Sequence, residues 1–322
     1  MRSSPVLSFI ARSGIRRLLF CVAALLLFVP HAPAQAAKPA FRSVTVVTEP
    51  NAIVWIDGVK YGTTAENGRL LIATVATGKR MVRVRADGFK EVSRPLLASQ
   101  KGDFEIPLTK TNDEAELAYQ QAEVLAGSDR EKAAEAYKKA IRLRPRFAEA
   151  HIALARLYSA GRDAENAEKA IKEARKIVPR SAEVSVIEGR VFRDGGDDDK
   201  AIASFKRAIT EGGGFQPEAY TGLGLMYKEK AESAGASADY DGEKANYIQA
   251  AKNFTVAVKQ LSGAPDAVSL YQFLGLVYEQ QKKFAEAIAV YREFLRFFPD
   301  NPESAAFESF IVQLKKQLNE PK

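Results

Sequence analysis

The pattern of apolar and polar positions divides the chain into three stretches of different character. From Leu18 to Val29 every residue is apolar, and Pro30 ends the run. Between about residues 41 and 110 apolar and polar residues alternate, which is the two-residue period of a half-buried strand. The alternation predicts strands over Val44–Thr48, Ile53–Ile56, Leu70–Thr74, Lys79–Ala86 and Asp103–Leu108. They are separated by turns at Glu49-Pro50-Asn51, Asp57-Gly58, Asn67-Gly68, Thr77-Gly78 and Asp87-Gly88, of which Asp57-Gly58 has hairpin chemistry. Several short strands with turn signals between them predict a small antiparallel sandwich, with Trp55 anchoring its core. Past Asn112 the apolar positions recur every three or four residues among Ala and charged residues, and helices are expected to the end of the chain.

Within the helical stretch a small residue followed three positions later by an aromatic recurs at Ala155/Tyr158, Gly189/Phe192, Gly224/Tyr227 and Gly275/Tyr278. Alanine followed four positions later by an apolar residue recurs at Ala133/Tyr137, Ala167/Ile171, Ala201/Phe205, Ala250/Phe254 and Ala287/Tyr291. Pro145, Pro179 and Pro299 fall where second helices must stop. Ala155 to Gly189 is 34 residues and Gly189 to Gly224 is 35; Gly224 to Gly275 is 51, one period with an insertion. In its Leu-Gly-x-x-Tyr, Ala-x-x-x-Phe and proline positions this pattern resembles the tetratricopeptide repeat. The resemblance implies five helical hairpins, at about 113–147, 148–181, 182–216, 217–267 and 268–301, stacked as an all-α superhelix. The first hairpin lacks a clear small residue in its first helix. The fourth carries about 14 extra residues, Glu232 to Ala245, and about three more near Ser262–Pro265. Ala234-Gly235-Ala236-Ser237-Ala238 predicts that part of the insertion is a loop. Residues 302–320 read as a capping helix, with Ala306, Phe310 and Leu314 on one face.

The β stretch carries a second resemblance. Thr48-Glu49-Pro50-Asn51-Ala52, Val54-Trp55-Ile56-Asp57-Gly58, Tyr61-Gly62-Thr63-Thr64, Thr77-Gly78-Lys79 and Ala86-Asp87-Gly88-Phe89 together resemble the PEGA domain over residues 43–110. Asn51 departs from the family's usual Gly, and Ala65 from a common Pro. The resemblance implies an accessory module of bacterial or archaeal envelope proteins rather than an enzyme.

Charge alters this picture mainly at the N-terminus. The chain has 47 Lys+Arg against 40 Asp+Glu, but residues 1–36 contain Arg2, Arg12, Arg16 and Arg17 and no acidic residue. Without them the balance is 43 to 40, too even for a protein that tracks nucleic-acid phosphates. The basic region ending at Arg16-Arg17, the apolar run and the small residues Ala32-Pro33-Ala34-Gln35-Ala36 read as a signal peptide over 1–36. A short linker, 37–42, follows. The run is too short to span a bilayer, so a periplasmic, secreted or envelope location is expected with no span after cleavage; an uncleaved anchor is the alternative. Cys21, the single cysteine, lies inside the run, so the exported chain has no thiol or disulfide.

Candidate chemistry is that of binding, and the expectation is a protein that is not an enzyme. After residue 36 the one histidine is His151, at a helix-packing position. Gly212-Gly213-Gly214 reads as a connector because no strand precedes it, and Asp197-Asp198-Asp199 as a helix cap because it lacks the rest of a calcium loop. No cofactor or metal is called for. The concave face of stacked hairpins accepts an extended or helical peptide, and Arg156, Arg190, Arg193 and Lys228 are placed there as a cationic track for an acidic segment or a free C-terminus. The alternative is that these cations pair with Glu149, Glu183 and Glu218. On the β module Arg83 and Arg85 share one strand face; it is either solvated or meets an anionic envelope polymer or an acidic partner. Two functions follow: an exported scaffold that binds a protein partner in its repeat groove, with the β module docking to the envelope or a partner, or a structural envelope component that self-associates through its repeats.

Overall fold

The computed structural model describes residues 41–319; the expected signal peptide and most of the linker lie outside them. Seven strands come first: β1 (Phe41–Val47), β2 (Ile53–Ile56), β3 (Val59–Thr63), β4 (Arg69–Ala76), β5 (Arg80–Arg85), β6 (Val92–Leu96) and β7 (Gly102–Glu105). They form two sheets, ordered β4-β1-β7 and β3-β2-β5-β6. Val44, Val46, Val54, Ile56, Ile72, Val82, Val84, Leu96 and Ile106 close the core between them. The sandwich is not wholly antiparallel: β7 runs parallel to β1, with Val44 opposite Gly102. Strand alternation alone does not fix direction.

Trp55 corrects a second expectation. Val54 and Ile56 point into the core, so Trp55 between them faces outward and is only half-buried. The turn chemistry is as expected. Asp57 and Gly58 both take positive φ (51° and 84°), which closes β2 onto β3. The Asp57 carboxylate accepts the Met81 N–H at 2.9 Å and pairs with Arg80 at 3.1 Å, tying that turn to β5. Asn51 adopts φ 56°, a left-handed conformation that Asn tolerates better than most residues. The buried Thr64 hydroxyl accepts from Ala52 N–H (2.8 Å) and donates to Glu49 C=O (2.7 Å).

Eleven helices follow: α1 (Glu114–Leu125), α2 (Arg130–Leu143), α3 (Ala148–Ala160), α4 (Ala164–Ile177), α5 (Ala182–Asp194), α6 (Asp198–Glu211), α7 (Pro217–Ala236), α8 (Tyr240–Leu261), α9 (Val268–Gln280), α10 (Phe284–Phe297) and α11 (Ser304–Asn319). The first ten pair as five hairpins in a tetratricopeptide-type superhelix, and α11 covers the last. Asp113, Asp129, Asp163, Ser181, Asp197 and Asp239 each accept a backbone N–H at a helix start. The small residues sit where the two helices of a hairpin touch. A Cβ on Gly189 would stand 2.7 Å from Phe205, and one on Gly224 would stand 2.6 Å from Phe254. In the first hairpin the fully buried Ala122 fills the equivalent place.

The inserted residues of the fourth hairpin are not a loop. α7 has 20 residues against 13 in α5, and α8 has 22 against 14 in α6. Both helices are therefore lengthened by similar amounts, and the turn shrinks to Ser237–Asp239. Equal lengthening keeps the two in antiparallel contact, with Ala231 and Tyr247 buried. The α11 stripe also differs: Phe307, Ile311 and Leu314 are buried, whereas Ala306 is exposed.

Candidate functional site

The first helices of successive hairpins, α3, α5, α7 and α9, line the concave side. Arg156 on α3 donates from Nη1 to Glu218 Oε1 (2.7 Å) and from Nη2 to Glu218 Oε2 (3.1 Å) on α7. Its Nη2 also reaches Glu183 on α5 (3.0 Å). Arg190 on α5 donates to the same Glu218 oxygen at 2.8 Å. Two arginines and two glutamates thus join three successive first helices, one link skipping a whole repeat. Crowding on the concave floor would raise the Glu218 carboxyl, but Arg156 and Arg190 outweigh that and hold it below the usual glutamate range.

The four cations placed on this track are therefore not equivalent. Arg156 and Arg190 are paired with Glu183 and Glu218, while Glu149 makes no ion pair among the described residues. Arg193 pairs with its neighbour Asp194 (2.8 Å), and Lys228 with Glu232 one turn on (2.5 Å). Arg190 uses one of its nitrogens in this network. Leu276, 39% exposed, and half-buried Leu225 add apolar surface.

On the β module Arg83 and Arg85 share the outer face with Trp55, their guanidinium carbons 4.1 and 5.2 Å from its ring centre. Arg85 is not solvated, whereas Arg83 is only half-buried. Arg85 is 6% exposed, pairs with Glu91 (2.7 Å) and with Glu123 of α1 (3.2 Å), and stacks over Tyr119 of α1 at 4.8 Å. Glu123 also accepts the Tyr137 hydroxyl. Burial pushes the Tyr119 and Tyr137 hydroxyls well above the ordinary tyrosine range. Arg83 pairs more loosely with Glu91, at 3.5 Å. The reason is topological: the first helix of the array meets the Arg85 end of that face, while Met81 at the other end is exposed.

Sequence reasoning missed a second polar network. Arg175 on α4 binds Glu188 (2.9 Å), the Ser185 hydroxyl (2.6 Å) and Glu211 (3.4 Å); Arg207 binds the same Ser185 (2.9 Å) and Glu188. Its members lie on three helices, and no local spacing announces it. His151 packs as expected, its Nε2 3.1 Å from the Pro145 carbonyl oxygen. An outer cleft of about 380 Å³ between α2 and α4 is rimmed by Lys138, Arg142 and Lys169 over Ile141 and Leu154. Among the described residues no three His, Cys, Asp or Glu side chains converge as a metal site would need, and no helix is long and apolar enough to cross a membrane.

Comparison with known proteins bears on the helical part. Residues 124–186 and 228–302 each match a family described as tetratricopeptide repeat. No curated protein matches the chain. Among solved structures, yeast Tom70 is similar at a TM-score of 0.51 and 19% identity, over 64% of this chain and 41% of that one. MamA is similar at 0.41 and 21%, over 62% of this chain and 97% of that one. PilW, described as a widely conserved type IV pilus biogenesis factor, is similar at 0.44 and 15%, over 65% and 93%. At 19% identity the likeness to Tom70 speaks for fold alone. With the two matched stretches, the five hairpins and the glycine–aromatic contacts, the helical part of this chain is an array of tetratricopeptide repeats.

Proposed function

We propose that this chain is a non-catalytic scaffold of the cell envelope, which holds a segment of a partner protein against the concave face of its repeats. The observation that carries the reading is that face itself, with Arg156, Glu183, Arg190 and Glu218 fixed across α3, α5 and α7. Because those four charges largely cancel, the floor does not attract acidic chains by net charge. Selectivity falls instead to the remaining donors of Arg190, to Arg193 once it leaves exposed Asp194, and to Leu225 and Leu276. That combination suits a segment carrying a carboxylate beside apolar side chains. Export is supported by the basic, apolar and small-residue order of residues 1–36. The β module is read as an accessory part of the scaffold. Contact with an anionic envelope polymer through Arg85 would require breaking its pairs with Glu91 and Glu123, so Arg83 is the better candidate.

The test is capture from an envelope extract by the immobilised protein, followed by titration of the captured segment. Arg190→Ala with Arg193→Ala is expected to weaken binding by roughly tenfold or more, the scale of a charge-assisted pair. Unchanged affinity removes the arginines from the reading. Capture of only the chain's own copies supports the self-associating alternative.

A further inference from the structure

Two different surfaces of the β module rest on opposite parts of the repeat array. The first contact is with α1. The Gln120 side chain accepts the Gly88 N–H (2.9 Å) and donates to the Phe89 C=O (2.8 Å), so one amide group satisfies a turn of the module as a neighbouring backbone would. Beside it Arg85 is buried between Trp55 and Tyr119 and paired with Glu123. The second contact is with the turn between the fourth and fifth hairpins and the end of α10. The Tyr61 hydroxyl donates to the Leu261 C=O at 3.2 Å. The Phe41 ring meets Phe297 edge-on at 5.0 Å. Gly263, with φ +78°, comes so near Thr74 that a Cβ there would stand 2.9 Å from the Thr74 hydroxyl. Val59 of β3 belongs to the same apolar cluster as Leu261, Leu270 and Tyr271.

Repeats in a stacked array normally touch only their neighbours, which leaves the curvature of the whole soft. Here one rigid body bridges the first repeat and the junction of the fourth and fifth. We propose that the β module is an intramolecular clasp that fixes the curvature of the array, and with it the width of the concave groove, with a permanent hinge at α1 and a releasable latch at the α8–α9 turn. The two contacts differ in kind. The hinge has a buried ion pair and two hydrogen bonds, and the chain itself runs through it at Lys110–Asp113. The latch is mainly apolar, with one hydrogen bond, an aromatic edge and the packing of Val59 and Tyr61 on the Leu261–Tyr271 cluster, and among the described residues no ion pair crosses it. A segment entering the groove therefore either fits the width set by the clasp or opens the latch while the hinge holds. This inference rests on contacts inside the chain and stands whether or not the groove holds a partner.

Trp55 is the sole tryptophan, and it reports on the module and its seat on α1, while ellipticity at 222 nm reports mainly on the helices. In urea the full chain is expected to lose both signals at one midpoint; a module that unfolds separately from the helices overturns the clasp. Phe41→Ala with Tyr61→Phe is then expected to speed amide exchange in residues 59–63 and 261–267 by roughly tenfold or more, while 116–123 stay protected. Small-angle scattering should show a larger radius of gyration for that variant. Unchanged exchange in 261–267 also overturns the proposal, and the unmodified chain's two-signal melt decides the matter if the variant does not fold.

Discussion

Replacing Gly189 by alanine adds one methyl group, which in a free helix favours the alanine by about 1 kcal/mol. In this array the sign is expected to reverse. The new Cβ would lie 2.7 Å from Phe205, where ordinary contact begins at 3.4 Å, so the ring must retreat by several tenths of an ångström. It has nowhere to go. Gly222 of α7 faces the same ring, and a Cβ there would stand 2.5 Å from its tip, so Phe205 is held between two helix backbones. Overpacking a closed core costs about 1–3 kcal/mol, and at the upper end the net loss after the helix-propensity gain is about 1–2 kcal/mol. Urea unfolding followed by ellipticity reads this directly. The second half of the cycle is sharper: in a Phe205→Leu background the obstruction is shorter, and Gly189→Ala should cost less or become favourable. If Gly189→Ala stabilises the unaltered protein, the account of why glycine stands at these positions is wrong.

Two further outcomes follow from single residues. Ala238 holds φ 60° in the α7–α8 turn, so Ala238→Gly should raise stability by about 0.5–1 kcal/mol, seen as a higher urea midpoint. Glu218 has a depressed carboxyl, so its contribution is full above the ordinary glutamate range and is lost as pH falls through its lower folded value. A Glu218→Gln variant should show a shallower fall of stability with acid than the parent in melts between neutral pH and pH 3; parallel curves would detach Glu218 from the acid response.

What was legible in the sequence was whatever short-range chemistry dictates. A helix pair that must approach closely needs Gly or Ala at the contact, so Gly189 and Gly224 announce themselves by spacing; that Phe205 and Phe254 are the rings they meet comes from the packing. Asp197 at the start of α6 and the terminating prolines did the same for helix ends. What stayed hidden depends on partners distant in the chain. β6 contains Ser93, Arg94 and Pro95, a polar run that becomes a strand because β5 lies beside it. The outward face of Trp55 follows from which side of β2 the other sheet occupies. Gly235 and Ser237 read as helix breakers, yet the pairing of α7 with α8 carries the helix through Gly235. For the cation track the sequence left free charge and pairing with Glu149, Glu183 or Glu218 both open, because local spacing does not reach from Arg156 to Glu218, 62 residues away.

That reach from Arg156 to Glu218 also bears on how such an array can change over generations. Repeat proteins grow and shrink by duplicating or deleting whole units, since each unit ordinarily recognises only the one before and the one after. Between α3 and α7 that freedom is curtailed. Inserting or removing one hairpin there would move Glu218 out of register with Arg156 and leave the arginines of α3 and α5 facing each other without their shared carboxylate. The fourth hairpin shows the kind of growth that remains open: its helices lengthen at their far ends, which adds mass without altering the order in which the units count.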